Sequence, residues 1–221
     1  MRPRKKHHLE ERLAACEGCF LTGEALEQGR LRESFPNPQA PLHLEIGCGK
    51  GQFSYQMAQR HPEWNFIAME REPNVMLDAA ERLMAQPLPN LKLLLGDAEE
   101  LPKLFLPGEL ARIYINFCDP WHKHRQYKRR LTYRERLKVY CNLLAPEGEI
   151  WFKTDNYMLY HFSLFEFDAV MNRYFTTTDL HASEYAADNV ITEYEQRFTD
   201  LGQTIYAIRA RKRGESPAAP I

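Results

Sequence analysis

The chain has 221 residues, 44% of them hydrophobic and 27% charged, which excludes a disordered polymer and suits one folded domain with a modest extension. Its formal net charge is −1, so overall basicity cannot be what attracts a nucleic acid; any such surface must come from uneven placement of charge. Five cysteines (Cys16, Cys19, Cys48, Cys118 and Cys141), odd in number and irregular in spacing, exclude a disulfide framework and fit a reducing compartment.

The chain opens with a basic run, Met1 to His8, but charged residues follow where a signal peptide would place an apolar stretch. No apolar run is long enough to span a bilayer, so a cytoplasmic protein without membrane contact is expected. Cys16-x-x-Cys19 with His7 and His8 could begin a zinc site. One pair without a second is weak, and two reduced cysteines in a short helical piece, with no metal, is the expectation. Residues 1–40 read as a basic arm and a linker. Pro36, Pro38 and Pro41 stiffen that linker, because each fixes its own backbone and bars helix before it. A main domain is expected over 41–213, and a disordered tail rich in small residues over 214–221.

From Leu42 the pattern alternates. Strands are predicted at Leu42–Ile46, Asn65–Met69, Leu91–Leu95, Ala111–Phe117 and Glu149–Lys153. Helices are predicted at Gln52–Arg60, Asn74–Met84, Tyr133–Leu144 and Met158–Asn172. Such alternation means βαβ units and a mostly parallel sheet. Two further strands, Tyr174–Ala182 and Gln203–Arg211, leave no room for a long helix between them and should form an antiparallel pair. The expected fold class is therefore α/β, a doubly wound, mostly parallel seven-stranded sheet with an antiparallel edge.

In such a sheet ligands bind at the carboxyl ends of the strands, near the point where strand order reverses. The first strand runs into Glu45-Ile46-Gly47-Cys48-Gly49-Lys50-Gly51, a Gly-x-Gly-x-Gly loop in which Gly47 and Gly49 would let a ligand approach the backbone. Neither the dinucleotide fingerprint nor the P-loop has this spacing. Glu45 would repel a phosphate and suit an ammonium. Glu70, after the second strand, lies where ribose hydroxyls are held in Rossmann-like sites. Asp97, after the third, could accept from an adenine amino group or simply cap the following turn. Ammonium, ribose and adenine without phosphate describe S-adenosylmethionine, with S-adenosylhomocysteine as the product.

The fourth strand ends at Asn116-Phe117-Cys118-Asp119-Pro120-Trp121, where substrate should meet cofactor. His122 to Arg130 then packs positive charge around Tyr127 directly beside that point. This favours an RNA contact over a merely solvated loop. Asp119-Pro120-Trp121 has one proline too few for an amino-group methylase. Cys118 lacks the preceding proline of a pyrimidine-C5 methylase. A non-catalytic RNA-binding module would not need acidic residues after four successive strands.

Together, Leu44–Gly51, Asn116–Trp121 with His122-Lys123-His124-Arg125, Lys153-Thr154-Asp155-Asn156 and Thr192-Glu193-Tyr194-Glu195-Gln196-Arg197-Phe198 closely resemble the bacterial tRNA (guanine-N7-)-methyltransferases over about residues 42–211. The resemblance implies a class I, Rossmann-like methyltransferase fold and methylation of a guanosine in the tRNA variable loop. It implies cofactor contacts at Glu45, Glu70, Asp97 and Asp119. Substrate contacts fall at Lys123, Asp155, Thr192, Glu193, Tyr194 and Glu195, and RNA contacts at Arg125, Gln126, Tyr127, Lys128, Arg129 and Arg130. Asp119 is the candidate catalytic residue, since a carboxylate there would stabilise positive charge moving onto the base. Asp155 or Glu195, or both, could read the Watson–Crick edge of guanine, whose N1–H and amino group a carboxylate accepts. Against this, Asp155 could cap the next helix, and Thr192-x-x-Glu195 has the form of a capping box. Monomer and homodimer both remain open.

Overall fold

The structure, a computed structural model, describes residues 6–214, the side chain of Glu193 excepted. The first five residues of the basic arm and all of the expected tail beyond Gly214 lie outside the described residues.

Among these residues seven strands form one sheet: β1 (Leu42–Ile46), β2 (Asn65–Glu70), β3 (Leu91–Leu95), β4 (Leu110–Asn116), β5 (Leu144–Thr154), β6 (Asn172–Thr177) and β7 (Tyr206–Arg211), in the order β3-β2-β1-β4-β5-β7-β6. The first five run parallel, and β7 is antiparallel to both β5 and β6. The reversed strand is thus β7, lodged one place in from the edge strand β6. The helices are α1 (Leu9–Ala15), α2 (Gln52–Arg60), α3 (Pro73–Ala85), α4 (Leu101–Leu104), α5 (Arg134–Leu143), α6 (Tyr157–Val170) and α7 (Glu193–Thr199).

All five residues of β1 are buried, as expected for a central parallel strand covered on both faces. Alternation along the strands separates two cores. Leu42, Leu44 and Ile46 point with Ile67 and Met69 toward α5 and α6, where Leu137, Tyr140, Leu159 and Phe167 meet them. Phe66, Ala68 and Tyr114 point toward α2 and α3, onto Phe53, Met57, Met76 and Leu83. Cys16 and Cys19 join this second core, and α1 is fastened outside it to α3 through the Arg12–Glu81 and Lys6–Asp78 ion pairs.

The boundaries of β1, α2 and β3 match the sequence expectation. Strand β5 begins five residues early, because Leu144 pairs with Leu110 before the chain passes Pro146 and Gly148. Strand β6 stops at Thr177, where the Thr177 hydroxyl accepts from the Asp179 amide and turns the chain. The seven-residue α7 occupies part of the stretch between β6 and β7.

Candidate active site

Strand order reverses at β1, whose neighbours β2 and β4 lead in opposite directions. At the carboxyl ends of β1 to β4 the loops part around a cleft of about 390 Å³, lined by Gly47, Glu70, Asp97, Phe117 and Asp119 among others. One acidic side chain each from the ends of β2, β3 and β4 therefore faces one space.

Glu70 is held there by backbone. Its Oε1 accepts from the amides of Arg71 and Glu72, at 2.9 and 3.0 Å, and its Oε2 accepts from the Gly49 amide at 3.1 Å. Gly49 presents that amide from a left-handed backbone (φ 59°). The loop then turns into α2 at Gly51 (φ 71°), where an added Cβ would lie 2.7 Å from the Ala79 Cβ. Glycine at this corner lets α2 and α3 close together. Glu70 thus carries two duties: it faces the cleft, and it ties the glycine loop to the end of β2.

Asp97 caps the short 3-10 turn Ala98–Glu100, accepting from the Glu99 amide at 3.0 Å while Glu100 accepts from the Asp97 amide. The capping reading of Asp97 holds, and the residue also lines the cleft. The sequence did not single out Arg71. Its guanidinium reaches into the cleft, 3.9 Å from Asp97 and 3.6 Å from Asp119. Asp119 is 69% exposed at the cleft mouth. The turn that carries it starts and ends in strained backbone, Phe117 at φ 51° and Trp121 at φ 43°. For bulky residues each costs about 1–3 kcal/mol, a strain characteristic of functional loops.

Glu45 does not line the cleft. Its carboxyl is 2% exposed on the α2 side of β1, accepting from the Ser54 hydroxyl at 2.6 Å and the Asn116 amide at 2.8 Å. Burial pushes its pKa up to about 7, against the opposing pull of those hydrogen bonds. In this arrangement it fastens β1 to β4 and α2, and an ammonium group in the cleft would not meet it directly.

The basic segment divides into two groups. Lys123, Arg125, Lys128 and Arg129 are exposed, the last with its guanidinium 5.1 Å from the Trp121 ring. Tyr127 is half-buried, packed edge-on to Tyr133 and Phe162, and Gln126 is half-buried beside it. Arg130 turns inward. It donates to the carbonyls of Pro120 (2.8 Å) and Trp121 (3.3 Å), with its guanidinium 4.3 Å from the Phe162 ring. Arg130 therefore braces the Asp119 turn and Tyr127 packs toward α6, where the RNA reading expects both to face solvent.

On the far side of the cleft, β5 ends at Thr154. Asn156, not Asp155, caps α6, accepting from the Leu159 amide at 2.8 Å. Asp155 is left half-buried, and desolvation raises its pKa. Tyr194 packs 5.0 Å from Phe117, bridging α7 to the Asp119 turn, and the charges of Asp155 and Asp119 both act on its hydroxyl. Thr192 forms the capping box with Glu195. Glu195 itself has no exposed surface. Its oxygens accept from Lys153 (2.5 Å), His181 (2.7 Å) and Asn189 (2.6 Å). Against the desolvation of burial, the Lys153 ammonium and these hydrogen bonds hold its pKa below the ordinary value. Lys153, buried beneath, also donates to the Asn189 side chain and the Val190 carbonyl. The pair staples the 180–195 segment onto β5, and of Asp155 and Glu195 it is Asp155 whose side chain is not taken up by that staple.

A family model described as "Putative methyltransferase" matches residues 39–208. A tRNA (guanine-N(7)-)-methyltransferase of Brevibacillus brevis is 46% identical over 192 residues, 86% of this chain and 89% of the relative. One of Bacillus cytotoxicus is 40% identical over 218 residues, 97% of this chain and 99% of the relative. Among solved structures, the 16S rRNA methyltransferase KamB aligns with a TM-score of 0.62 at 17% identity, covering 83% of this chain and 91% of its own. A 16S rRNA (adenine(1408)-N(1))-methyltransferase from Catenulisporales acidiphilia, solved with its cosubstrate SAM, aligns at 0.59 and 16% identity over 98% and 96%. Those structures establish the class I methyltransferase fold, and the sequence relatives go further: the chain belongs to the tRNA (guanine-N(7)-)-methyltransferase family.

Proposed function

We propose that the protein transfers the methyl group of S-adenosylmethionine to N7 of a guanosine in the variable loop of tRNA. The observation that carries this reading is the convergence of Glu70, Asp97 and Asp119, from the ends of three strands, on one cleft at the switch point of the sheet. The donor set fits the cofactor. Glu70, fixed by three amides, keeps lone pairs for ribose hydroxyls. The uncapping oxygen of Asp97 suits an adenine amino group.

When bound, S-adenosylmethionine supplies an electrophilic methyl group on its sulfonium. Guanine N7 carries an in-plane lone pair and no proton, so no residue has to act as a general base. The protein's task is alignment, with the base held in line with the methyl, and positioning can supply most of the rate. Asp119, on its strained turn, offers negative charge where the purine becomes cationic. Asp155 accepts from the Watson–Crick edge, and the charges of both carboxylates act on Tyr194. Lys123, Arg125, Lys128 and Arg129 hold phosphates beside the entrance.

Incubation with labelled S-adenosylmethionine and total tRNA, followed by digestion to nucleosides, should yield labelled 7-methylguanosine. Label in another nucleoside refutes the N7 assignment. A tRNA carrying 7-deazaguanosine at the target should bind and remain unmethylated.

A further inference from the structure

A second concavity of about 920 Å³ lies outside the cleft, between the outer face of α2 and helix α7. It is lined by Gln52, which opens α2 just after the glycine loop, and by Thr192, which caps α7. Arg60 and Arg197 line it as well. Along α2 it extends from Gln52 to Arg60, about 12 Å, the rise of eight helical residues.

Its chemistry is one-sided. Helix α2 contains no carboxylate, and its groove-facing turns present Gln52, Gln56 and Arg60. Arg60 and Arg197 are exposed, and neither has an ion-pair partner among the described residues. Unlike them, Arg12, Arg30, Arg112, Arg134 and Arg173 are all paired. Asp200 is the carboxylate at the rim among the described residues, and the Gln196 amide already donates to it at 2.7 Å. Gln52 and Gln56, both half-buried, add uncharged amide groups along the α2 side.

We propose that this groove binds the sugar–phosphate backbone of the tRNA strand flanking the methylated nucleotide. Exposed guanidinium groups with no ion-pair partner among the described residues suit phosphates. The amides of Gln52 and Gln56 can exchange hydrogen bonds with sugar hydroxyls and phosphate oxygens. Position supports the same occupant. The basic segment packs through Tyr127 on α6, on one face of the sheet, whereas α2 covers the other face. A strand whose target base enters the cleft between them is then gripped on both sides. The inference rests on the proposed tRNA substrate and adds a contact surface to it.

The test pairs Arg60→Ala and Arg197→Ala in one variant, with Gln56→Glu as a second that places repulsive charge in the groove. Binding of tRNA is measured across a salt series, together with cofactor affinity and steady-state kinetics. The double variant should bind tRNA about tenfold more weakly, the lower end of the range for a charged hydrogen bond. Its log–log salt slope should flatten by about 1.4–1.8, the loss of two phosphate contacts. Cofactor affinity and kcat should be retained, and Gln56→Glu should weaken tRNA binding in the same direction. Wild-type tRNA affinity and salt slope in both variants overturn the groove while leaving the proposed activity intact. Failure of the unaltered protein to methylate tRNA overturns both.

Discussion

A carboxyl group sealed behind a central strand resists ionisation, and Glu45 sits in that position with a pKa near 7. The native state keeps this proton to higher pH than the unfolded chain, whose glutamate titrates near 4.5. The associated stability is fully present below about pH 4.5 and is lost as pH rises toward 7. Glu45→Gln keeps the shape and cannot ionise. Its stability relative to the parent should therefore climb between pH 5 and 7 and level off above, by up to about 3 kcal/mol at 1.4 kcal/mol per unit. Denaturant melts at pH 5, 6, 7 and 8 would show this, and parallel curves would mean that Glu45 is solvated. Glu70 poses the opposite case, a carboxylate at the edge of open space. Glu70→Ala should weaken S-adenosylmethionine binding by at least about 1.5–3 kcal/mol, the worth of a charged hydrogen bond, since it also releases Gly49. Unchanged affinity by calorimetry would remove it from the site. The sequence placed both acids at the carboxyl ends of the correct strands. It could not separate their fates, because whether an end-of-strand side chain faces the cleft or the α2 core depends on Ser54 and Asn116, whose approach is tertiary.

At the scale of elements, periodicity made β1, α2 and β3 legible to the residue, while the turns around the site were not. The segment after β4 illustrates why. Its charge density suggested a uniform RNA surface, yet Arg130 bonds the Pro120 and Trp121 carbonyls and lies against Phe162 of α6. Only the docking of that turn on α6 reveals its role. The division predicts two kinds of variant. Arg125→Ala with Lys128→Ala should raise the KM for tRNA and flatten its salt dependence, with kcat little changed. Arg130→Ala should instead loosen the Asp119 turn, lowering kcat and leaving the salt slope near that of the parent. Equal salt effects in both variants would place Arg130 among the phosphate contacts after all. The motif around Thr192 shows a similar division. Its capping box was foreseen, but the Lys153 staple beneath Glu195 was not, because the partners stand 42 positions apart.

Across the whole molecule, the sheet brings together two banks of one site. The bank formed by β1 to β4 carries the cleft lined by Glu70, Asp97 and Asp119, and β5 with the stapled 180–195 segment carries Asp155 and Tyr194. Phe117 and Tyr194 touch across the gap, so a base entering there meets both banks at once. In the proposed reading Asp155, rather than Glu195, selects guanine over adenine, since Glu195 is enclosed and both its oxygens are engaged. An ionised Asp155 accepts from guanine N1–H and from the amino group, whereas adenine presents an unprotonated N1 that it would repel. Asp155→Asn should lower kcat/KM about 10- to 100-fold, the loss of one charged contact. Replacing the target with inosine removes only the amino group. That change should slow the parent, yet have little further effect on Asp155→Asn, because the two changes delete the same interaction. Desolvation raises the Asp155 pKa, so the acid limb of kcat/KM should fall at higher pH than an ordinary aspartate near 3.8 would give, and it should vanish in Asp155→Asn. Additive inosine and Asp155→Asn penalties, or an adenosine-substituted tRNA methylated efficiently, would show that another group reads the base.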